Sequence, residues 1–194
     1  LRNLVIDHPN QVWKTDITYI RIRGGWVYLV CIIDVFSRKI MGWALSPYLD
    51  TETCIEALEM ALVHGNPEIL NSDQGCQFTS EMWVGRLEKE GIKISMDGKG
   101  RWADNIIIER FWRSIKYEAL RFYSIESIAE TRLIVKDYID FYNRERFHQS
   151  LDYKRPDEVY YATLGAIVRF DSFAIVCNST LTVQQIRSMG VPMA

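Results

Sequence analysis

Several things are scarce in this chain of 194 residues. Glycine (11) and proline (5) are too sparse for a collagen-like or low-complexity protein, and a hydrophobic content of 48% is too high for disorder. Long apolar runs are missing: the longest, Trp26 to Ile33, stops at Asp34, well short of the ~18–20 residues that span a bilayer. The four cysteines (Cys31, Cys54, Cys76 and Cys177) lie far apart without CxxC or CxxH spacing. That speaks against structural zinc and a disulfide framework, and for a reducing, cytoplasmic setting. No signal-peptide pattern opens the chain. Positive charge is not in excess either, with 23 Lys+Arg against 25 Asp+Glu and a net charge of −2. A dedicated nucleic-acid binder is usually basic, so any affinity for DNA must come from a local patch. The chain begins at Leu1 and reaches its first methionine at Met41, which leads us to expect an alternative start codon or a piece of something longer.

What is present is ordinary globular patterning. After a lead-in (1–10), β-branched and aromatic residues dominate Trp13–Arg23, and Gly24-Gly25 precedes a second such run, Trp26–Ile33. This predicts a hairpin with a primed turn, with the second strand buried on both faces. A third strand follows at Ile40–Leu45. The period then changes. Asp50 or Thr51 caps a helix carrying Ile55, Leu58, Ala61 and Leu62; Glu68–Asn71 is a short strand; Thr79-Ser80 caps a second helix that stops at Gly91. Ile92–Met96 is a fifth strand, Asn105–Leu120 a long helix, Ser124 the cap of another ending near Asn143, and Pro156 the start of a last one. Three antiparallel strands followed by αβαβ make an α/β fold with a five-stranded mixed sheet flanked by helices. Residues 11–161 form the core, and 162–194, with no sustained period, a tail.

Three acids stand out. Asp16 lies inside the first apolar strand, where an unpaired charge is costly. Asp73 follows the fourth strand in Asn71-Ser72-Asp73-Gln74-Gly75, and as a lone residue it reads equally well as a turn aspartate. Glu109 lies in the long helix, and alone it reads as a solvated residue. Together they carry more weight. Strand ends in such a sheet form the crevice where ligands bind. Three carboxylates meeting there repel unless divalent cations lie between them, and Mg²⁺ favours oxygen ligands while leaving positions for phosphate. On the long helix, Ile108, Phe111, Trp112, Ile115 and Ala119 share one stripe. With Ile108 at zero, Asn105 lies at about 60°, Lys116 at about 80°, Glu109 at about 100° and Arg113 at about 140°. One acid and two cations thus share a strip beside the core face. The plain reading is a Glu109–Arg113 pair of ~0.2–0.5 kcal/mol; the sharper one is a metal ligand flanked by phosphate contacts.

The set Trp13-x-x-Asp16-x-Thr18, Ser72-Asp73-x-Gly75-x-Gln77-Phe78-Thr79-Ser80 and Asp104-Asn105-x-x-x-Glu109 resembles the integrase catalytic core of insertion-sequence transposases of the IS3 family, relatives of retroviral integrases. The gap between Asp73 and Glu109 is 109 − 73 − 1 = 35 residues, the spacing of the DD35E pattern. Ser95–Gly100 is similar to the family's active-site loop, and Phe141-Tyr142-Asn143-x-x-Arg146-x-His148-x-x-Leu151 with Pro156 to its C-terminal signature. The resemblance covers roughly residues 8–161. It implies a ribonuclease-H-like fold and Asp16, Asp73 and Glu109 as ligands of two Mg²⁺ ions, with Mn²⁺ as a substitute. It also implies DNA strand cleavage and 3′-hydroxyl strand transfer, with element ends and target duplex as partners and a homo-oligomer on bacterial nucleoid DNA. Lys99, Arg101, Trp102, Arg113 and Lys116 are the expected DNA contacts, and Asn105 and Gln77 support the ligands. Full-length family members carry an N-terminal helix-turn-helix region, whereas this chain starts just upstream of the core. The alternatives are a catalytically idle fragment of such an element and a non-specific metal-dependent nuclease.

Other residues read as structural. Asp34 is expected to accept turn hydrogen bonds from Ser37 or backbone N–H groups, and His148 to be a structural hydrogen-bonder. Trp13, Trp26, Trp43, Trp83 and Trp112 are expected in the core. Cys76 has no partner that would mark it as a nucleophile.

Overall fold

The computed structural model describes residues 4–96 and 102–165, the side chains of 102–105 excepted. The described residues through Tyr160 form one compact unit; of a second unit, Tyr161–Ala194, only 161–165 are described, and they are helical. The elements are β1 (Val12–Ile22), β2 (Gly25–Asp34), β3 (Ile40–Ser46), α1 (Thr51–Leu62), β4 (Ile69–Ser72), α2 (Glu81–Lys89), β5 (Lys93–Met96), α3 (Trp102–Glu118) and α4 (Ile128–Arg144), with short 3-10 turns at Leu120–Phe122 and Gln149–Leu151. A last helix, α5, covers 156–165. None of the helices among the described residues is long and apolar enough to cross a membrane.

The sheet order is β3-β2-β1-β4-β5. β1–β2 and β2–β3 are antiparallel, while β1–β4 and β4–β5 are parallel, as the run of three strands before αβαβ predicts. Gly24 closes the hairpin at φ +84°, a conformation that costs glycine little. β1 pairs with β4 only over Val12–Lys14, so the remainder of β1 runs past the end of β4.

Side-chain alternation sorts the sheet into two faces. On one, Ile20, Val27, Leu29, Cys31 and Ile33 pack against Ile108, Phe111, Trp112 and Ile115 of α3 and Val135, Tyr138, Ile139 and Tyr142 of α4. The helical stripe is therefore buried as its period predicts, each such side chain contributing about 1.5–3 kcal/mol. α1 packs against β3 and β2. A Cβ on Gly42 would collide with the Ala57 carbonyl oxygen, so only glycine permits that approach.

Helix starts follow the capping rule. Asp50 accepts from Thr53 N and Ser80 from Trp83 N. For α4 the cap is Ser127, which accepts from Glu130 N, and not Ser124. Residues 123–127 instead run beneath the hairpin, where Arg23 N donates to Ile125 O at 2.8 Å. Asn143, near the end of α4, bonds both backbone groups of Ile40 at 2.9 Å and so ties that helix to the start of β3.

One more expectation needs correction. Trp26 is 49% exposed at the tip of the hairpin, whereas Trp13, Trp83 and Trp112 are core and the partly buried Trp43 packs against it. His148 stacks edge-on against Tyr142 with centroids 4.7 Å apart and bonds that residue's backbone. Its buried Nε2 has no hydrogen-bond partner among the described residues.

Candidate active site

β1 and β4 carry the first two acids. Lys14 and Asn71 are register partners, and Lys14 Nζ donates to Asn71 Oδ1 at 2.7 Å, so both side chains share a face. Asp16 lies two residues further along β1, and Asp73 two residues beyond Asn71, just past the end of β4. The carboxyl of Asp16 is held above the usual range mainly by burial and further by the charge of Asp73, against the pull of the Trp112 and Ile17 N–H groups and the Lys14 charge. Asp73 is exposed just past the end of β4.

The motif around Asp73 is built locally. Its Oδ1 accepts from Gly75 N at 2.9 Å, an aspartate turn. A Cβ on Gly75 would lie 3.0 Å from that same oxygen, so glycine leaves Asp73 its rotamer. Phe78 is buried edge-on against Trp83, and Ser80 caps α2. Gln77 is buried and donates to Leu49 O at 3.3 Å. The turn is thus anchored beneath while its carboxylate faces outward.

α3 crosses the same face. Trp112 Nε1 donates to Asp16 Oδ2 at 2.8 Å. Glu109 is exposed one turn earlier and, at i−3, neighbours Trp112 on the helix surface. Among the described residues no three His, Cys, Asp or Glu side chains are grouped to hold a metal ion. Asp73 thus lies near enough for its charge to act on Asp16, and Glu109 does not complete a three-acid group with them among the described residues. No ion pair joins Glu109 to Arg113 among the described residues; the Arg113 guanidinium lies 6.0 Å over the Tyr117 ring. Lys116 is half-buried, its Nζ 5.2 Å over the Tyr19 ring, and burial lowers its pKa against the opposing charge of Asp16. Lys99 and Arg101 lie outside the described residues, as do the side chains of Trp102 and Asn105.

Two contacts at this site escape sequence reasoning. Trp112 reads from its spacing as core only, yet it is also the donor to Asp16. Lys14 is 1% exposed beside the acid pair, and Asn71 continues its hydrogen bond to Ser95 on β5 at 3.2 Å. Lys14 lies two residues before Asp16, on the same face by alternation, and that signal was available. The oxygen donors of Asp16 and Asp73 suit a hard cation, because two nearby carboxylates, one of them half-buried, are relieved by positive charge.

Solved structures of this shape include the magnesium complex of the HTLV-2 integrase catalytic core domain (TM-score 0.64, 19% identity, 79% of this chain and 97% of that one). A chain of the simian T-cell lymphotropic virus intasome is a second (TM-score 0.70, 17% identity, 79% of this chain and 55% of that one). The fold is thus that of retroviral integrase cores, ribonuclease-H-like. Two family models described as integrase core domain match residues 6–101 and 90–156. The transposase for insertion sequence element IS904 of Lactococcus lactis is 37% identical over 154 residues, 77% of this chain and 61% of the relative. Transposase InsF for insertion sequence IS3A of Escherichia coli is 37% identical over 144 residues, 72% of this chain and 50% of the relative. The chain belongs to the integrase core domain family, and these curated relatives within it are transposases of insertion sequences. It spans between half and about three-fifths of the length of these curated relatives.

Proposed function

We propose that the chain is a DDE-type polynucleotidyl transferase domain that cleaves DNA at element ends and joins the freed 3′-hydroxyl to a target duplex. The observation that supports this reading is the charge interaction between Asp16 of β1 and Asp73, just past the end of β4, in an integrase core. Asp16, Asp73 and Glu109 would hold two Mg²⁺ ions, with Mn²⁺ able to replace them. When bound, such ions activate an attacking oxygen and stabilise a leaving one. Trp112 fixes the Asp16 carboxylate by its N–H donor, and Gly75 does the same for Asp73. Glu109, exposed one turn of α3 before Trp112, would complete the ligand set once a cation draws the three acids together. Lys99, Arg101, Trp102, Arg113 and Lys116 would contact DNA, with Asn105 and Gln77 supporting the ligands, and the chain would act as a homo-oligomer on nucleoid DNA in the cytoplasm.

The test is an oligonucleotide with a pre-cut 3′ end, incubated with supercoiled plasmid and Mn²⁺. Joined product supports the proposal. Degradation without joining assigns a non-specific nuclease instead, and DNA binding without either reaction assigns an idle fragment.

A further inference from the structure

α3 ends between two grooves of opposite character. One, of about 560 Å³, lies against α4 and is lined by Phe122, Tyr138 and Phe141 together with Glu118, Glu130 and Asp137. The other, of about 300 Å³, lies against the β1–β2 hairpin and is lined by Tyr19, Arg21, Trp26, Lys116, Arg121 and Tyr123 around an apolar floor. Its lining holds three cations and no acid. The first groove repels phosphate; the second attracts it.

The aromatic rings of the second groove are unusually open. Tyr19 is 59%, Trp26 49% and Tyr123 54% exposed. Tyr19 and Trp26 meet edge-on, centroids 5.2 Å apart at 85°, and both residues stay about half exposed. Arg21 lies 5.9 Å over Trp26 and Lys116 5.2 Å over Tyr19, so among the described residues these cations sit over rings rather than in ion pairs. Open rings interleaved with cations are what unpaired nucleotides require: bases stack and phosphates are neutralised. A duplex would hide its base faces from these rings.

Position adds the direction. Tyr19 is three residues beyond Asp16 on β1, roughly 10 Å along the strand, so the two side chains leave opposite faces of the sheet, on the segment of β1 that no longer pairs with β4. Lys116 links the two places, since it lies over Tyr19 and senses the charge of Asp16. We propose that the hairpin groove of Tyr19, Arg21, Trp26, Lys116 and Arg121 binds single-stranded DNA, holding the unpaired nucleotides next to the reacting end. Its link to a reacting end rests on the proposed transferase activity; its affinity for an unpaired strand does not.

The test is fluorescence anisotropy of the full chain with a labelled twelve-nucleotide oligothymidylate and with a blunt duplex, run beside the end-joining assay. Trp26→Ala should weaken oligothymidylate binding about tenfold, Trp26→Phe by much less, and Leu133→Ala, in the acidic groove, not at all. Arg121→Gln should reduce the slope of log affinity against log salt by about 0.7. Should Trp26→Ala fail to fold, Arg21→Gln with Arg121→Gln, both at exposed positions, reads the same groove through the slope. Absence of oligothymidylate binding by the parent chain would overturn the proposal. So would tighter binding of the blunt duplex, or equal weakening by Leu133→Ala. Asp16→Asn should abolish joining while leaving oligothymidylate affinity unchanged; absence of joining by the parent chain removes the transferase reading and leaves the groove standing, whereas joining by Asp16→Asn removes only Asp16 from the ligand set.

Discussion

Asp16 and Asp34 are acids on paired strands, and burial raises the pKa of both. Asp16 pairs with Cys31, three residues from Asp34, so the two side chains face opposite sides of the sheet. Their surroundings differ completely. Asp34 is closed: Oδ1 accepts from Ser37 N at 2.7 Å and Ser37 Oγ at 2.6 Å, and Oδ2 accepts from Asn10 N at 2.8 Å. The turn chemistry expected of it is present. Asp16 has one side-chain donor, Trp112, and a second carboxylate as its neighbour. Structural acids are surrounded by donors, whereas an acid beside another acid is relieved by positive charge. The difference separates two carboxyls that an apolar strand makes look alike in sequence.

The largest expected effect tests the open acid. Asp16→Asn keeps shape and removes ligand charge. Strand transfer in Mn²⁺ should fall by about a thousandfold, corresponding to about 4 kcal/mol of barrier. The thermal midpoint of the metal-free chain should stay level or rise, because repulsion from Asp73 is relieved. Asp73→Asn should behave alike. A variant that retains metal-dependent transfer would remove its residue from the ligand set.

The closed acid should respond in the other currency. Asp34→Ala strands the Ser37 and Asn10 donors in a buried turn and should cost about 3 kcal/mol of stability in urea titrations. Activity per folded molecule should stay within about a factor of three, since 1.4 kcal/mol is already tenfold. A large loss of activity at unchanged stability would reverse the assignment of the two acids.

The same contrast marks what could be read before folding. The succession of strands and helices, the 35-residue gap and the α3 stripe depend on local period and spacing, and they are legible. The turn around Asp73 is legible too, because Gly75 and Ser80 act within a few residues. Trp26 is not: its apolar neighbours suggest core, but the hairpin carries it beyond the helices that cover the sheet. Ser127 replaces Ser124 as the cap because Ile125 is first drawn beneath the hairpin to bond Arg23. The donor to Asp16, Trp112, is 96 residues away in sequence, and only tertiary packing of α3 reveals it.

A smaller effect reads the closed end through pH. Burial, with the charges of Arg146 and Arg38 and against that of Glu118, lowers His148 to about 4. The unfolded chain, with its histidine near 6.5, then binds a proton that the folded chain refuses between these values. Stability must fall as pH drops through that window, by about 2 kcal/mol between pH 7.5 and 5. His148→Phe keeps a ring against Tyr142 and should flatten that part of the stability–pH curve. An unchanged curve would show that His148 is not the group responsible.

The smallest effect lies between the two regions, at Trp112, which is core on one side and a donor on the other. Trp112→Phe retains most of the apolar contact with Phe111, whose ring centroid lies 5.2 Å away, but removes the N–H. Stability should drop by about 1 kcal/mol, combining lost ring area with a lost hydrogen bond whose acceptor water can still reach, since Asp16 is only half-buried. The effect on strand transfer should be about tenfold, far below that of Asp16→Asn, because the carboxylate keeps its charge and loses only its orientation. If Trp112→Phe abolished transfer as completely as Asp16→Asn at intact stability, the indole N–H would be part of the reacting site and not a strut beneath it. The boundary between the open and the closed acid would then run through α3.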